Sequence, residues 1–132
     1  MWRGYDDKIA KEICYNCGSP VSRKTYAYFR SAFYHNRDKV WCEIFDGKAM
    51  YFAIRCRKHA RLIELAVHKT VQGQYVGRKV LFRLLSRMKL AGLHKLTFRT
   101  PIAEEAQKFW LHMGARIVDV KGEDYEMELT IK

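Results

Sequence analysis

The residues Gln72-Gly-Gln-Tyr-Val-Gly-Arg78 lie between an apolar, strand-like run and the strongest amphipathic stretch of the chain. A loop that feeds straight into a helix leaves the first backbone N–H groups unpaired and turned toward one point, and the helix dipole adds partial positive charge there. Such a mouth binds phosphate, and a pyrophosphate suits it. Gly73 helps the loop curl, Gly77 leaves room for a ligand against the first helical turn, and Arg78 and Lys79 add charge at the edge. A second chemistry is offered by sulfur and imidazole. Cys14-x-x-Cys17-Gly18 has the spacing of half a zinc knuckle, and Cys56-x-x-His59 supplies a second pair. Together Cys14, Cys17, Cys56 and His59 would make a closed, structural tetrahedral zinc site with no position left for water.

These groups need elements to hold them. The periodicity predicts short helices over Asp6 to Glu12 and Arg23 to Tyr34, then strands Val40 to Phe45 and Lys48 to Cys56 joined at Asp46-Gly47, a pair that supplies the positive φ of a tight hairpin. Leu62 to Val67 is nearly continuous in apolar residues, as in a strand buried on both faces. After the loop, Val76, Val80, Leu84 and Met88 recur at helical spacing, with Arg78, Lys79, Arg83, Arg87 and Lys89 mainly on the other side. Gly92 ends that helix, and Lys95 to Arg99 is a strand that should lie parallel to Leu62–Val67 in a right-handed βαβ unit. Thr100-Pro101 reads as the start of another helix, with Glu104 and Glu105 in its first turn and Ala106, Phe109 and Met113 as its buried stripe. One helix is expected on each side of the parallel strands. Arg116 to Val120 and the strictly alternating Tyr125 to Lys132 close the sheet.

At 132 residues the chain suits a single domain, with residues 1–38 as a helical N-terminal part and 39–132 as the sheet core carrying the ligand site. No segment reaches the roughly 18 unbroken apolar residues of a membrane helix, and Met1 to Asp7 lacks the apolar core of a signal peptide, so a soluble, cytoplasmic protein is expected. Four cysteines without an export signal argue for reduced thiols or a metal rather than disulfides. Lysine and arginine outnumber aspartate and glutamate by 25 to 14, a formal charge of +11 that attracts anions and disfavours a polycationic partner. The basic residues are spread along the chain rather than interleaved with glycine and aromatics as in an RNA-binding sheet motif.

Ile63-Glu-Leu-Ala-Val67, nine intervening residues, Gly77, then Lys79-Val80-Leu81, followed after a second strand by Ala106-Gln-Lys-Phe109-Trp110-Leu-His-Met113-Gly114-Ala115, resembles the two signature segments of the GNAT superfamily of N-acetyltransferases. The likeness covers about Ala60 to the C-terminus. It implies an α/β (α+β) GNAT fold, a mixed, mostly antiparallel sheet with a splayed parallel strand pair and flanking helices. It also implies acetyl-coenzyme A as cosubstrate, with its pantetheine arm in the gap between the parallel strands. Carried over residue by residue, Leu65, Ala66 and Val67 would pair with that arm, and the acetyl carbonyl would lie near the Val67 N–H. Gln72, Gly73, Gln74, Tyr75, Val76, Gly77 and Arg78 would take the diphosphate, and Phe109 would line the groove.

The sequence departs from the family pattern in three places. Tyr75 stands where the first loop glycine belongs, Ala103 replaces a frequent asparagine, and Trp110 occupies the position of the tyrosine that often protonates the leaving thiolate. Acetyl transfer needs a neutral amine, a polarised carbonyl and a route for the lost proton. Glu64, beside the expected acetyl position, is the candidate catalytic base, with Glu43 and His68 in reserve, and Cys42 reads as strand packing. The expected partners are acetyl-coenzyme A and an amine acceptor, of a protein or a small molecule, which the sequence does not name. Two rival readings stand beside this one. One is a basic nucleic-acid-binding module with a structural zinc knuckle. The other is a degenerate GNAT domain that binds coenzyme A without turnover.

Overall fold

A computed structural model of the chain describes residues 1–102 and 106–131. In chain order its elements are strand β1 (Trp2–Arg3), helices α1 (Asp7–Tyr15) and α2 (Pro20–His35), strands β2 (Val40–Phe45), β3 (Ala49–Arg55) and β4 (Ala60–Val67), helix α3 (Val76–Leu90), strand β5 (Lys95–Pro101), helix α4 (Ala106–His112), and strands β6 (Arg116–Lys121) and β7 (Asp124–Thr130). Among the described residues the strands form one seven-stranded sheet in the order β1-β2-β3-β4-β5-β7-β6. Neighbours run antiparallel except β4 and β5, which are parallel.

Local chemistry accounts for most boundaries. Asp46 and Gly47 take φ of 51° and 66°, so β2 and β3 close in the tight turn that this dipeptide favours. Asp6 caps α1, its Oδ1 accepting the Ile9 N–H at 3.0 Å, and the helix runs past Glu12 to Tyr15 because Ile13 and Cys14 are buried against the sheet. α2 begins at Pro20 rather than Arg23: Ser19 is extended, and a proline is pre-shaped for a first helical position. β1 has no sequence pattern of its own. It forms because Trp2 pairs with Phe45 and packs its ring 4.9 Å from that neighbour's.

The second half corrects two expectations. Thr100 and Pro101 are not a helix start but the end of β5, held there by β7 through the pairs Thr100↔Tyr125 and Pro101↔Asp124. Glu104 and Glu105 lie outside the described residues. On α4 the buried residue is Trp110, whereas Ala106 is exposed. Nor do α3 and α4 take opposite sides of the parallel pair. Val80, Leu84 and Met88 of α3 and Trp110 of α4 share one core with Tyr51, Leu62, Phe98 and Met127, while α1 and α2 cover the other face, where Phe29 stacks on Phe52 at 3.9 Å.

Carboxylates on β7 tie strands together on the wetter side of the sheet. Glu126 receives both Arg61 guanidinium nitrogens, at 2.5 and 3.0 Å, and lies 3.5 Å from Arg99, so β4 and β7 are clamped across β5. Glu128 bonds Arg116, and Asp7 accepts hydrogen bonds from the hydroxyls of Tyr5 and Tyr26. The Arg61 hydrogen bonds hold Glu126 below the usual carboxylate range, Arg116 does the same for Glu128, and the Tyr5 hydroxyl does so for Asp7. A carboxylate depressed in the folded state stabilises it above its ordinary pKa, near 4.5 for the glutamates and 3.8 for Asp7, and that stability is lost as pH falls through the depressed values. Urea unfolding should therefore be flat from neutral pH down to the ordinary carboxylate range and weaken steadily below it. Glu126→Gln should shrink that acid-side slope.

Candidate active site

β4 and β5 pair only at Ala60↔Leu96 and Arg61↔Thr97. Beyond those pairs the strands part. The cause lies partly in β4 itself, where Glu64 pairs with Phe52 and Leu62 with Ala53, leaving Ile63 as an extra, bulged residue. The bulge reverses the side-chain alternation: Ala60 and Leu62 face the α3/α4 core, then Leu65 and Val67 do, while Ala66 joins the α1/α2 core. Without it Glu64 would point into the apolar layer with Leu62. With it, Glu64 shares the α1/α2 side with Phe52.

The backbone of the free edge can be oriented from one bond. The His68 N–H donates to Lys48 O at 2.7 Å, toward β3. Amides alternate sides along a strand, so Val67 and Leu65 turn theirs away from β3 and into the gap. The Val67 carbonyl agrees, since it accepts from Gln72 Nε2 at 2.9 Å rather than from β3. An extended chain bearing amides can add to this edge as a strand would.

The gap opens into a cleft of about 550 Å³ between the parted strands. Glu64, Leu65, Ala66, Val67, Gln72 and Phe109 line it. Sequence reasoning missed the opposite wall, made by Cys17 to Ser19 of the α1–α2 connection and Val21-Ser22 in the first turn of α2, and the contributions of Arg99 and Thr100; Trp110 also lines the cleft. Nothing local in Cys17-Gly-Ser marks it as a wall. The Gln72 side chain puts it there, donating to Cys17 O at 2.8 Å as well as to Val67 O. The amide expected to face a diphosphate is thus a clip joining the α1–α2 turn to the end of β4. Thr100 is 2% exposed, and among the described residues its Oγ1 has no hydrogen-bond partner. A buried, unsatisfied hydroxyl at a cleft wall fits a polar ligand group.

At the mouth, α3 starts without a side-chain cap and without an acidic residue in its first turn. Its first intrahelical bond is Lys79 N–H to Tyr75 O, which leaves the amides of Val76, Gly77 and Arg78 for an anion. Gly73 has φ of 81° and Tyr75 φ of 59°, so the tyrosine adopts the left-handed conformation that a glycine would take freely. Its side chain is 76% exposed, and little packing offsets the strain. Tyr75→Gly should therefore raise stability by up to about 1 kcal/mol, a rise of about 3–5 °C in Tm for a chain of this size, with ligand affinity retained. Thermal unfolding with and without acetyl-coenzyme A checks both. Arg78 Cζ lies 5.4 Å from the Phe82 ring and Lys79 Nζ 5.4 Å from the Phe45 ring, and both cations add to the positive character of the free amides. A Cβ on Gly77 would meet Val67 Cγ2 at 3.5 Å, Leu65 Cδ2 at 3.7 Å and Phe109 Cε1 at 3.9 Å, which puts this glycine where the loop, the gap and α4 come together.

The reserve bases are elsewhere. Glu43 is bonded to Tyr51 Oη at 2.5 Å and Arg83 Nε at 2.9 Å, outside the cleft. His68 is buried under α1, its Nδ1 engaged by the Thr70 N–H and its Nε2 3.7 Å from Glu12. Cys42 is core, and burial pushes its thiol pKa up, as it does for Cys14, where the Glu64 carboxylate adds to the shift.

The zinc expectation is overturned by position. Cys17 is tied to the Val67 end of β4 through Gln72, whereas Cys56 and His59 form the turn before Ala60, their backbones joined by Cys56 N–H to His59 O at 2.9 Å. The eight residues of β4 separate the two pairs by roughly 25 Å. Cys14, Cys17, Cys56 and His59 cannot share one ion, and among the described residues no three His, Cys, Asp or Glu side chains gather as a metal site. All four cysteines are free thiols.

A sequence profile of the acetyltransferase (GNAT) family matches residues 11–115, and the chain belongs to that family. The fold is shared with solved structures of low identity. One is the PaiA N-acetyltransferase of Thermoplasma acidophilum in complex with coenzyme A, at 14% identity and TM-score 0.84 over 98% of both chains. Another is Ard1 from Thermoplasma volcanium, at 15% and 0.81 over 100% of this chain and 97% of the other. A third is the ribosomal-protein-S18-alanine N-acetyltransferase of Escherichia coli, at 19% and 0.78 over 99% and 93%. No match was found among curated protein sequences. Among the described residues no helix is long and apolar enough to cross a membrane.

Proposed function

We propose that the protein transfers an acetyl group from acetyl-coenzyme A to an amine by direct attack within a ternary complex. The observation that carries this reading is the parting of β4 from β5 beyond Arg61 and Thr97, with the Leu65 and Val67 amides turned into the gap and the uncapped α3 terminus at its mouth. In this reading the α3 amides of Val76, Gly77 and Arg78 hold the diphosphate, and the β4 edge pairs with the pantetheine amides. The Val67 N–H polarises the thioester carbonyl, and the Thr100 hydroxyl serves a polar group of the bound arm. Phe109 and Trp110 close one side of the cleft against water.

The acceptor enters from the side of the α1–α2 connection. Its nitrogen attacks the thioester carbon, the carbon–sulfur bond breaks, and the nitrogen's proton passes to Glu64 directly or through a water. The departing thiolate takes its proton from solvent, because Trp110 offers no hydroxyl and is packed on Phe98 at 4.1 Å. Calorimetric titration with acetyl-coenzyme A, followed by thiol release with a panel of protein N-termini, lysine peptides and small amines, tests the reading. Saturable binding with amine-dependent release is the expected result. Binding with no release from any amine would instead support a coenzyme A-binding domain without turnover, and absence of binding would end both.

A further inference from the structure

On the outer face of α3, Lys79, Arg83 and Arg87 follow one another at four-residue spacing, which places three cations in a row at intervals of about 6 Å. Each lies over an aromatic ring from the β1–β2 edge of the sheet. Lys79 Nζ is 5.4 Å from the Phe45 ring, Arg83 Cζ 4.9 Å from Trp2 and Arg87 Cζ 4.5 Å from Trp41. A cation seated on a ring keeps its charge and loses side-chain freedom, so the row is fixed before anything binds. Beside it runs a groove of about 690 Å³ lined by Arg83 and Arg87 on one wall and Arg37, itself over Phe33 at 5.5 Å, on another. The groove shares no lining residue with the acetyl-coenzyme A cleft. Among the described residues Glu43 is its one carboxylate, paired with Arg83 at 2.9 Å, and Tyr5 and Ser86 also line the groove.

We propose that this groove binds single-stranded RNA, with Lys79, Arg83, Arg87 and Arg37 tracking the phosphates. Evenly spaced, immobilised cations match a polymer that carries charge at even intervals better than the irregular charges of an acidic protein surface. A concave groove between a helix and a sheet edge admits one strand, and a duplex is too wide for it. Ser86 Oγ, and the lone pairs that Tyr5 Oη keeps beyond its bond to Asp7 and Glu43 keeps beyond those from Tyr51 and Arg83, can accept from 2′-hydroxyls, which distinguish RNA from DNA. The Glu43 carboxylate would only repel a bare phosphate. The groove requires neither acetyl-coenzyme A nor turnover.

The test uses fluorescence anisotropy of the full chain with a labelled oligouridylate of about 12 nucleotides across a salt series. A deoxythymidylate of equal length and a glutamate peptide of equal charge serve as competitors. The logarithm of affinity should fall with the logarithm of salt at a slope of about −2 to −3, from three or four phosphate contacts on a single strand. Arg83→Gln with Arg87→Gln should weaken binding on the order of tenfold and reduce the slope by about 1.4, with acetyl-coenzyme A binding unchanged as the check on folding. Arg37→Gln, on the other wall, should reduce the slope by about 0.7 whether or not the α3 double variant folds. Arg23→Gln with Lys24→Gln removes the same net charge elsewhere and should change little. The proposal is overturned by an equal loss in that control, by competition from the peptide or the deoxy strand as strong as from RNA, or by no effect of Arg37→Gln.

Discussion

Replacing Gly77 with tryptophan is expected to weaken acetyl-coenzyme A binding by at least about a hundredfold, equivalent to roughly 3 kcal/mol, while circular dichroism stays that of the native chain. The effect is steric. A Cβ at Gly77 already stands in contact with Val67, Leu65 and Phe109, so an indole there has no room in the core and must occupy the mouth of the cleft. The same contacts lie at ordinary van der Waals distance, which makes Gly77→Ala an informative companion. That smaller change should be tolerated and should stabilise the first turn of α3 by about 0.5–1 kcal/mol, since glycine is a poor helix residue. A tighter fold with weaker ligand binding, read by thermal unfolding and calorimetry on one variant, would separate the cleft's need for space from the helix's preference. Unchanged affinity in Gly77→Trp would mean that the diphosphate does not pass this point.

Glu64→Gln is expected to lower kcat by about 10²–10⁴, the range for loss of a general base, with acetyl-coenzyme A affinity little changed. The residue owes its place to the bulge at Ile63, which takes Glu64 out of register with Leu62 and onto the α1/α2 side of the cleft. Glutamine keeps the shape and loses the basic site, so a residual rate that climbs with pH as amine deprotonation replaces the lost base is the expected signature. Stopped-flow thiol release at several pH values reads it. A wild-type rate in Glu64→Gln would assign proton removal to solvent and leave Glu64 a structural role.

What could be read from the residues, and what could not, divides by range. Asp46-Gly47 and the Val76–Met88 stripe are local patterns, and the structure follows them closely. The apolar run ending at Val67 likewise becomes an interior strand, but its bulge depends on how β3 pairs, and no residue of Leu62 to Val67 announces it. Thr100-Pro101 shows the same limit from the other side: the dipeptide suits a helix start, and pairing with β7 overrides that preference. The two metal-like pairs have the right spacing within themselves, yet spacing along a chain does not set distance, and β4 lies between them. In the cleft, the β4 wall and the loop were legible because one strand–loop–helix segment carries both. The wall of Cys17 to Ser19 and Val21-Ser22 was not, because it is tied by groups distant in sequence, the Gln72 amide on Cys17 O and the Lys69 N–H on Asn16 O. Tyr75 taught something different: a strained residue took the shape the loop requires, at a cost in backbone energy.

The most direct measurement is a backbone amide NMR titration with acetyl-coenzyme A. The account predicts that the N–H resonances of Leu65 and Val67, along the parted edge, and of Val76, Gly77 and Arg78, at the α3 terminus, move together and saturate at one stoichiometric equivalent. If those amides stay still while others move, or if none moves, the cleft between β4 and β5 is not where this protein takes its acyl donor.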